Sequence, residues 1–346
     1  MAASKTSIFL TGAAGYISGT VLAHLLRHPD VGTFDITALV RSPEKARKLE
    51  AFGVRSVVGS LDDFDKLEAL SEQADVVFSC ADSDYLPAMQ AILRGLKKRH
   101  ESLGDLPILI HTSGTGVLSE DTRGMYVADK VYSDLDVEQL KAIPETAIHR
   151  KVDLAVIAAD QQEYARTHIV FPSQIHGVAN HALVEAGISN PYSIAIPWMI
   201  LAAIQRKQGG VVGLGKSVWP DVDIDDVADL YVVLFDAIRR DPEHVGHGWE
   251  GFYFAENGEY CWYDLTKAVV TALVELGAIE NDEISSFTEE ELPKYFRAEA
   301  NGWLFGSTSR CRADRGRSIG WKPVKKTEDM YAGVKVEAEV LWRKKF

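Results

Sequence analysis

The amino-acid sequence predicts an α/β fold built on a doubly wound parallel sheet. Short apolar runs alternate with helix-like stretches through the first half of the chain, the pattern of parallel strands joined by crossover helices. A glycine loop, Thr11-Gly12-Ala13-Ala14-Gly15-Tyr16-Ile17-Ser18-Gly19, separates the first apolar run from the first helical stretch. That is where a dinucleotide-binding turn belongs. The chain has 346 residues, 46% apolar and 25% charged, which is a globular composition with room for one large or two smaller domains.

Each element follows in order. Ser7–Leu10 reads as a strand and Gly19–Arg27 as a helix. Ile36–Val40 is a second strand, followed by a helix over Pro43–Phe52. Val54–Val58, Asp75–Ser79 and Ile108–His111 are further strands, the last two flanking a helix over Leu86–Arg99. The second half is less regular. It offers a helix over Thr146–Ala159, a strand over Thr167–Phe171 and a hairpin-like glycine-rich piece, Gly209–Gly215. Ile224–Ile238 is an apolar helix, and the acidic stretch Asp282–Leu292 is expected to be a solvated loop or helix. No repeat or low-complexity linker is present, so any second domain is woven into the first.

Charge narrows the function. Thirty-seven basic and 50 acidic residues leave a net charge of −13, which argues against nucleic acid or an anionic membrane as a partner. Cys80, Cys261 and Cys311 are too few and too dispersed for a disulfide framework or a zinc site. A reducing, cytoplasmic location is expected. The apolar run near the N-terminus is too short for a secretory signal. Tyr192–Ile204 contains Pro197 and falls short of the ~18 apolar residues of a membrane span. His24 and His28 share a helix face at metal-like spacing but lack a third ligand nearby, so no metal is expected.

The glycine loop has a physical reading. Gly12 permits a tight turn, and Gly15 lets the backbone approach a pyrophosphate at the helix N-terminus. Ser18, small enough to pack on the sheet, takes the third glycine position. The end of the second strand places Arg41 where an NAD site carries an acid. Arginine's fork of donors suits a 2′-phosphate, with Ser42 and Lys45 adding contacts. NADP is therefore expected over NAD.

These residues resemble the extended short-chain dehydrogenase/reductase superfamily, the epimerase/dehydratase-like NAD(P)-binding group, and most nearly its atypical fungal members. Thr11–Gly19 resembles the family's glycine loop, and Gly59-Ser60-Leu61-Asp62-Asp63 its adenine-contacting segment. Ser79-Cys80-Ala81 is similar to the segment that lies along the cofactor. Pro172-Ser173-Gln174-Ile175-His176-Gly177 resembles Pro-x-x-x-Tyr-Gly beside the nicotinamide, with His176 replacing the tyrosine. Asp223–Asp229 resembles the Val-x-Asp-Val-Ala helix start, and Ser318–Pro323 the C-terminal Leu-Gly-Trp-x-Pro signature.

The resemblance implies a Rossmann core over residues 1–177, rejoined by 216–240, and a smaller discontinuous substrate lobe over 178–215 and 241–346. It implies a cofactor site of Thr11, Gly12, Ala14, Gly15, Tyr16, Ile17, Arg41, Ser42, Lys45, Leu61, Asp62, Ala81, Pro172 and Ser173. It also implies a homodimer formed by the helices over Leu86–Arg99 and Thr146–Ala159.

The catalytic pattern departs from that family, whose chemistry uses Ser/Thr with Tyr-x-x-x-Lys. Tyr126 and Lys130 match that spacing but lie in a loop-like stretch. Aligned backwards from the strand Thr167–Phe171, the tyrosine position holds His149 and the lysine position Asp153. Four residues apart on one helix face, Asp153 is expected to orient the His149 imidazole, and a histidine can serve as general acid near neutrality. Tyr126, His149 or neither supplies the proton. Ser113 or Thr115, just past the fifth strand, positions the substrate oxygen.

The expected function is NADP(H)-dependent hydride transfer to or from a carbonyl or alcohol of a small organic substrate. Two alternatives remain: a nucleotide-sugar-type epimerase or dehydratase with bound NAD, and a non-catalytic NADP-sensing regulator.

Overall fold

In the computed structural model, which describes residues 5–296 and 299–343, the chain forms a mixed α/β fold around one large parallel sheet. The strands are β1 (Thr6–Thr11), β2 (Phe34–Val40), β3 (Arg55–Val58), β4 (Val76–Ser79), β5 (Ile108–Thr112), the two-residue β6 (Tyr132–Ser133), β7 (Arg166–Pro172), β8 (Gln174–His176), β9 (Gly209–Val211), β10 (Val218–Asp223), β11 (Phe252–Ala255), β12 (Gly258–Cys261), β13 (Ile284–Ser286) and β14 (Cys311–Arg312). The seven-stranded main sheet runs β11-β7-β5-β4-β1-β2-β3. Every pairing in it is parallel, as a sheet with covered faces requires.

The crossover helices are α1 (Tyr16–Leu26), α2 (Pro43–Glu50), α3 (Phe64–Glu72), α4 (Leu86–Leu103), the short α5 (Val137–Lys141) and α6 (Arg150–Gln161). The C-terminal half adds α7 (Ala182–Glu185), α8 (Ala195–Arg206), α9 (Ile224–Arg240), α10 (Trp262–Glu275), α11 (Glu291–Phe296), α12 (Glu299–Leu304), α13 (Asp314–Ser318) and α14 (Thr327–Arg343).

Two large apolar cores divide the described residues, with a small third cluster of Tyr16, Ala179 and Ile224. The first packs the main sheet against its helices and buries Phe78, Phe171, Phe235, Phe252 and Phe254. Each such side chain stabilises the fold by about 1.5–3 kcal/mol. The second joins α8, α10 and α14, with Trp219 of β10 set edge-on against Trp262 at a centroid distance of 6.1 Å.

The family-like segments of the second half are structural clamps. The Trp321 indole donates to the Asp226 carbonyl at 2.8 Å, while the Asp226 carboxylate accepts from the backbone N–H of Val324 and Lys325. The Asp223–Asp229 and Ser318–Pro323 stretches thus hold each other.

Several sequence expectations change. The chain returns to the first core more often than expected: β11 is an edge strand of the main sheet, and Ala313 and Trp321 pack into that core, although all lie within the expected substrate lobe 241–346. Gly209–Gly215 is no hairpin, because β9 pairs in parallel with β13. The expected loop or helix at Asp282–Leu292 supplies that partner strand. The helix expected from Thr146 begins only at Arg150. The Asp84 carboxylate captures the His149 backbone N–H at 2.9 Å, and His149 adopts a left-handed φ of 67° that a helix cannot contain.

Candidate active site

A cleft of about 800 Å³ opens at the carboxyl ends of β1, β2, β3 and β4. This is where open α/β sheets bind ligands. Thr11, Gly12, Ala14, Gly15, Arg41, Lys45, Leu61, Asp62 and Ala81 line it, together with Gly59, Ser60, Asp82 and Tyr85.

The floor is built for close backbone approach. Gly12 has φ 79°, and a Cβ there would stand 3.2 Å from the Ala81 Cβ. Gly15 caps α1 and donates its N–H to the Gly12 carbonyl at 2.7 Å. The Ser18 hydroxyl satisfies the Thr11 carbonyl at 2.8 Å, which explains serine in the third glycine position. A Cβ on Gly19 would meet Ser189 Oγ at 2.0 Å, so that glycine is required by packing.

Charge is distributed along the cleft. Arg41 and Lys45 face it, and neither belongs to an ion pair among the described residues. The Ser42 hydroxyl instead caps α2, accepting the Lys45 backbone N–H at 3.3 Å. Opposite, Tyr85 donates its phenol to Asp62 Oδ1 at 2.6 Å. That bond to a carboxylate raises the tyrosine pKa.

The second constellation lies past β5. The imidazole of His149 stands over Gly114 and Gly116: a Cβ at either glycine would lie 3.5 or 3.6 Å from Nε2. Its Nδ1 contacts Asp84 Oδ1 and Ser83 Oγ, each at 2.9 Å. The bond from His149 is the main reason the Asp84 carboxyl is held below its usual range. A carboxylate only accepts, so Nδ1 carries the proton and Nε2 is left toward the glycines.

Asp153 does not orient His149, contrary to the expectation from their spacing. It points the other way and accepts the Ser113 hydroxyl on Oδ2 at 3.1 Å. Burial pushes its carboxyl up to about 7. Beside it, 3.9 Å from Asp153 Oδ1, sits His111. Burial pushes His111 down to about 3, so it is neutral.

Other expected residues lie elsewhere. Tyr126 sits on a bend at 52% exposure, outside the cleft lining. The Lys130 ammonium lies 4.2 Å over the Tyr132 ring. The two share no helix, so the spacing that suggested a pair has no structural meaning. Tyr16 points away from the cleft, donating to the His176 and Gly177 carbonyls. Ile17 packs into the apolar core. Pro172 ends β7, and the buried Ser173 follows it. His176 is buried between Asp221 and Asp223.

Asp84, Ser83 and Tyr85 were not anticipated. Their signal was slight: a polar run, Asp82-Ser83-Asp84, directly after a strand at the ligand-binding edge.

The residues fit a nicotinamide dinucleotide. The glycine cradle, together with Arg41, Lys45 and two buried hydroxyls, Thr115 Oγ1 and Ser173 Oγ, all unpartnered among the described residues, forms a matching donor set. A family model described as NAD(P)H-binding matches residues 12–103. Oxidase ucsJ of an Acremonium species is 32% identical over 335 residues, covering 92% of each chain. The chain belongs to the family of this fungal oxidase and carries an NAD(P)H-binding domain.

Solved structures of nucleotide-sugar enzymes share the fold. The dTDP-glucose 4,6-dehydratase of Bacillus anthracis, in complex with NAD, superposes with a TM-score of 0.63 at 14% identity, over 98% of this chain and 97% of its own. The UDP-glucose 4-epimerase of Thermotoga maritima, with UDP-glucose, gives 0.64 at 13%, over 98% and 99%. At such identities the likeness is one of fold alone. The helix at which the sequence pattern would place Tyr-x-x-x-Lys opens on His149 instead, with Asp153 one turn later.

Proposed function

We propose that the protein is an NADP(H)-dependent oxidoreductase that moves a hydride between nicotinamide and a carbonyl or alcohol carbon of a small organic substrate, with His149 exchanging the proton. The observation that carries this reading is the His149 imidazole, fixed at Nδ1 by Asp84 and presenting Nε2 beside Gly114 at the carboxyl edge of β5. The name of the Acremonium relative, an oxidase, agrees with redox chemistry.

The residues divide the work. Glycine-loop amides and the α1 N-terminus hold the pyrophosphate. Arg41 and Lys45 hold the 2′-phosphate, and Asp62 faces the adenine. The bound nicotinamide supplies or accepts the hydride. The Ser113 or Thr115 hydroxyl positions the substrate oxygen. As imidazolium, His149 carries a proton on each nitrogen. Asp84 balances the charge at Nδ1, and Nε2 gives its proton to the oxygen as it becomes an alcohol. In oxidation Nε2 takes that proton back. The helices α4 and α6 are proposed as the seam of a homodimer, to be read as twice the chain mass in sedimentation.

The test is NADPH consumption against a panel of aldehydes and ketones. His149→Ala should lower kcat by about 10²–10⁴-fold and leave NADPH affinity unchanged. A second reading has its own support: Asp153, buried where the family carries lysine, favours a non-catalytic NADP sensor. Tight NADPH binding with no turnover on any carbonyl would decide for it.

A further inference from the structure

We infer that residues 80–85 couple the cofactor cleft to the proton-exchanging histidine, with Asp84 as the positioning residue. The inference rests on the reading of His149 given above.

One short strap serves both sites. Cys80, Ala81, Asp82 and Tyr85 line the cleft. Between them, Ser83 and Asp84 turn away and hold His149, Asp84 through both the backbone N–H and Nδ1. The strap is a stiff turn. Asp82 sits at a left-handed φ of 47°, a conformation few non-glycine residues adopt. Its side chain accepts the Asp84 N–H at 3.1 Å, and its carbonyl the Tyr85 N–H at 3.4 Å. At the far end the Tyr85 phenol reaches across to Asp62 at 2.6 Å. At the near end Ala81 touches the glycine loop.

An occupant of the adenosine end must therefore press on, or replace, contacts of the strap. A stiff turn passes that displacement to Asp84. His149, itself at φ 67°, is held to the strap by three hydrogen bonds and moves with it. Aligning the imidazole is then a consequence of cofactor binding, although the adenosine half does not touch it.

The experiment is ¹⁵N NMR of histidine-labelled full-length protein, titrated with the adenosine bisphosphate half of NADP, which lacks nicotinamide. In the wild-type protein the His149 signals should report the Nδ1–H tautomer and shift on addition of the fragment. Asp84→Ala should lose both that tautomer preference and the response, while calorimetry shows that the fragment still binds. Asp84→Asn, whose amide oxygen can still accept from Nδ1, should restore the tautomer. An Asp84→Ala protein that keeps the Nδ1–H tautomer and responds to the fragment like wild type would overturn the inference. The redox reading fails differently: His149→Ala would reduce carbonyls at the wild-type rate, whatever the NMR shows.

Discussion

Asp153 is the residue whose chemistry departs furthest from its neighbours. It is a carboxyl with no solvent, beside a neutral histidine, accepting one hydroxyl hydrogen bond. Burial raises its folded-state pKa to about 7, so the native protein holds a proton that the unfolded chain releases near the ordinary carboxylate value. Stability from this group is greatest in acid and falls as pH rises toward and past 7. Asp153→Asn keeps an oxygen for Ser113 and removes the buried charge. In urea unfolding it should be more stable than wild type at pH 8 by roughly 1–3 kcal/mol and indistinguishable from it at pH 4. A gain of equal size at both pH values would show that ionisation is not the cause. Protonated Asp153 can also donate to Ser113, freeing the serine hydrogen for a substrate oxygen.

Among the elements, the seam between α1 and α9 explains two histidines whose spacing resembled a metal site. His24 bonds Asp225 and Asp229, and His28 bonds Asp236, all on the facing helix. Although burial opposes it, these carboxylates raise the His24 pKa to about 9. The stability this supplies is complete below the unfolded value near 6.5 and lost as pH rises through about 9. Both carboxylates are more than half exposed, so the contribution is modest, about 1 kcal/mol or less. Thermal melts of His24→Ala should fall below wild type at pH 6 and coincide with it at pH 10.

Legibility also divides by element. The strands of the main sheet up to β7 could be read because each is a short apolar run between polar breaks, and the glycine loop fixed which one was first. Arg41, Lys45 and Asp62 followed from it, since each lies just past the strand that positions it. Counting back from β7 leads to His149 at the head of α6. Its partner was not legible. Asp84 is 65 residues away, and only the folded sheet brings the end of β4 beside the start of α6. The i, i+4 rule chose Asp153 because it assumes that His149 is helical. The backbone bond to Asp84 breaks that assumption. The pairing of β9 with β13 was hidden for the same reason: two three-residue strands carry little pattern of their own.

For the whole molecule, the clamp between Asp226 and Trp321 ties the C-terminal segment to the first core after the chain has built the second. Trp321 is fully buried, and its indole nitrogen has a partner. Trp321→Ala should cost about 3–5 kcal/mol in equilibrium unfolding. It should also loosen the segment that leads into α14, seen as faster amide exchange at Val324 and Lys325. Unchanged exchange there would mean that the signature serves only the local packing.

In the proposed function Arg41 selects NADP for this cleft. Among the described residues Arg41, at the end of β2, has no ion-pair partner, which leaves its guanidinium available to a phosphate. Calorimetric titration of NADPH and NADH into wild-type and Arg41→Ala protein measures this directly. Wild type should prefer NADPH. The substitution should weaken NADPH by roughly 10- to 100-fold, the worth of a charge-assisted phosphate contact, and leave NADH nearly unchanged. Equal losses for both cofactors, or a wild-type preference for NADH, would contradict the account.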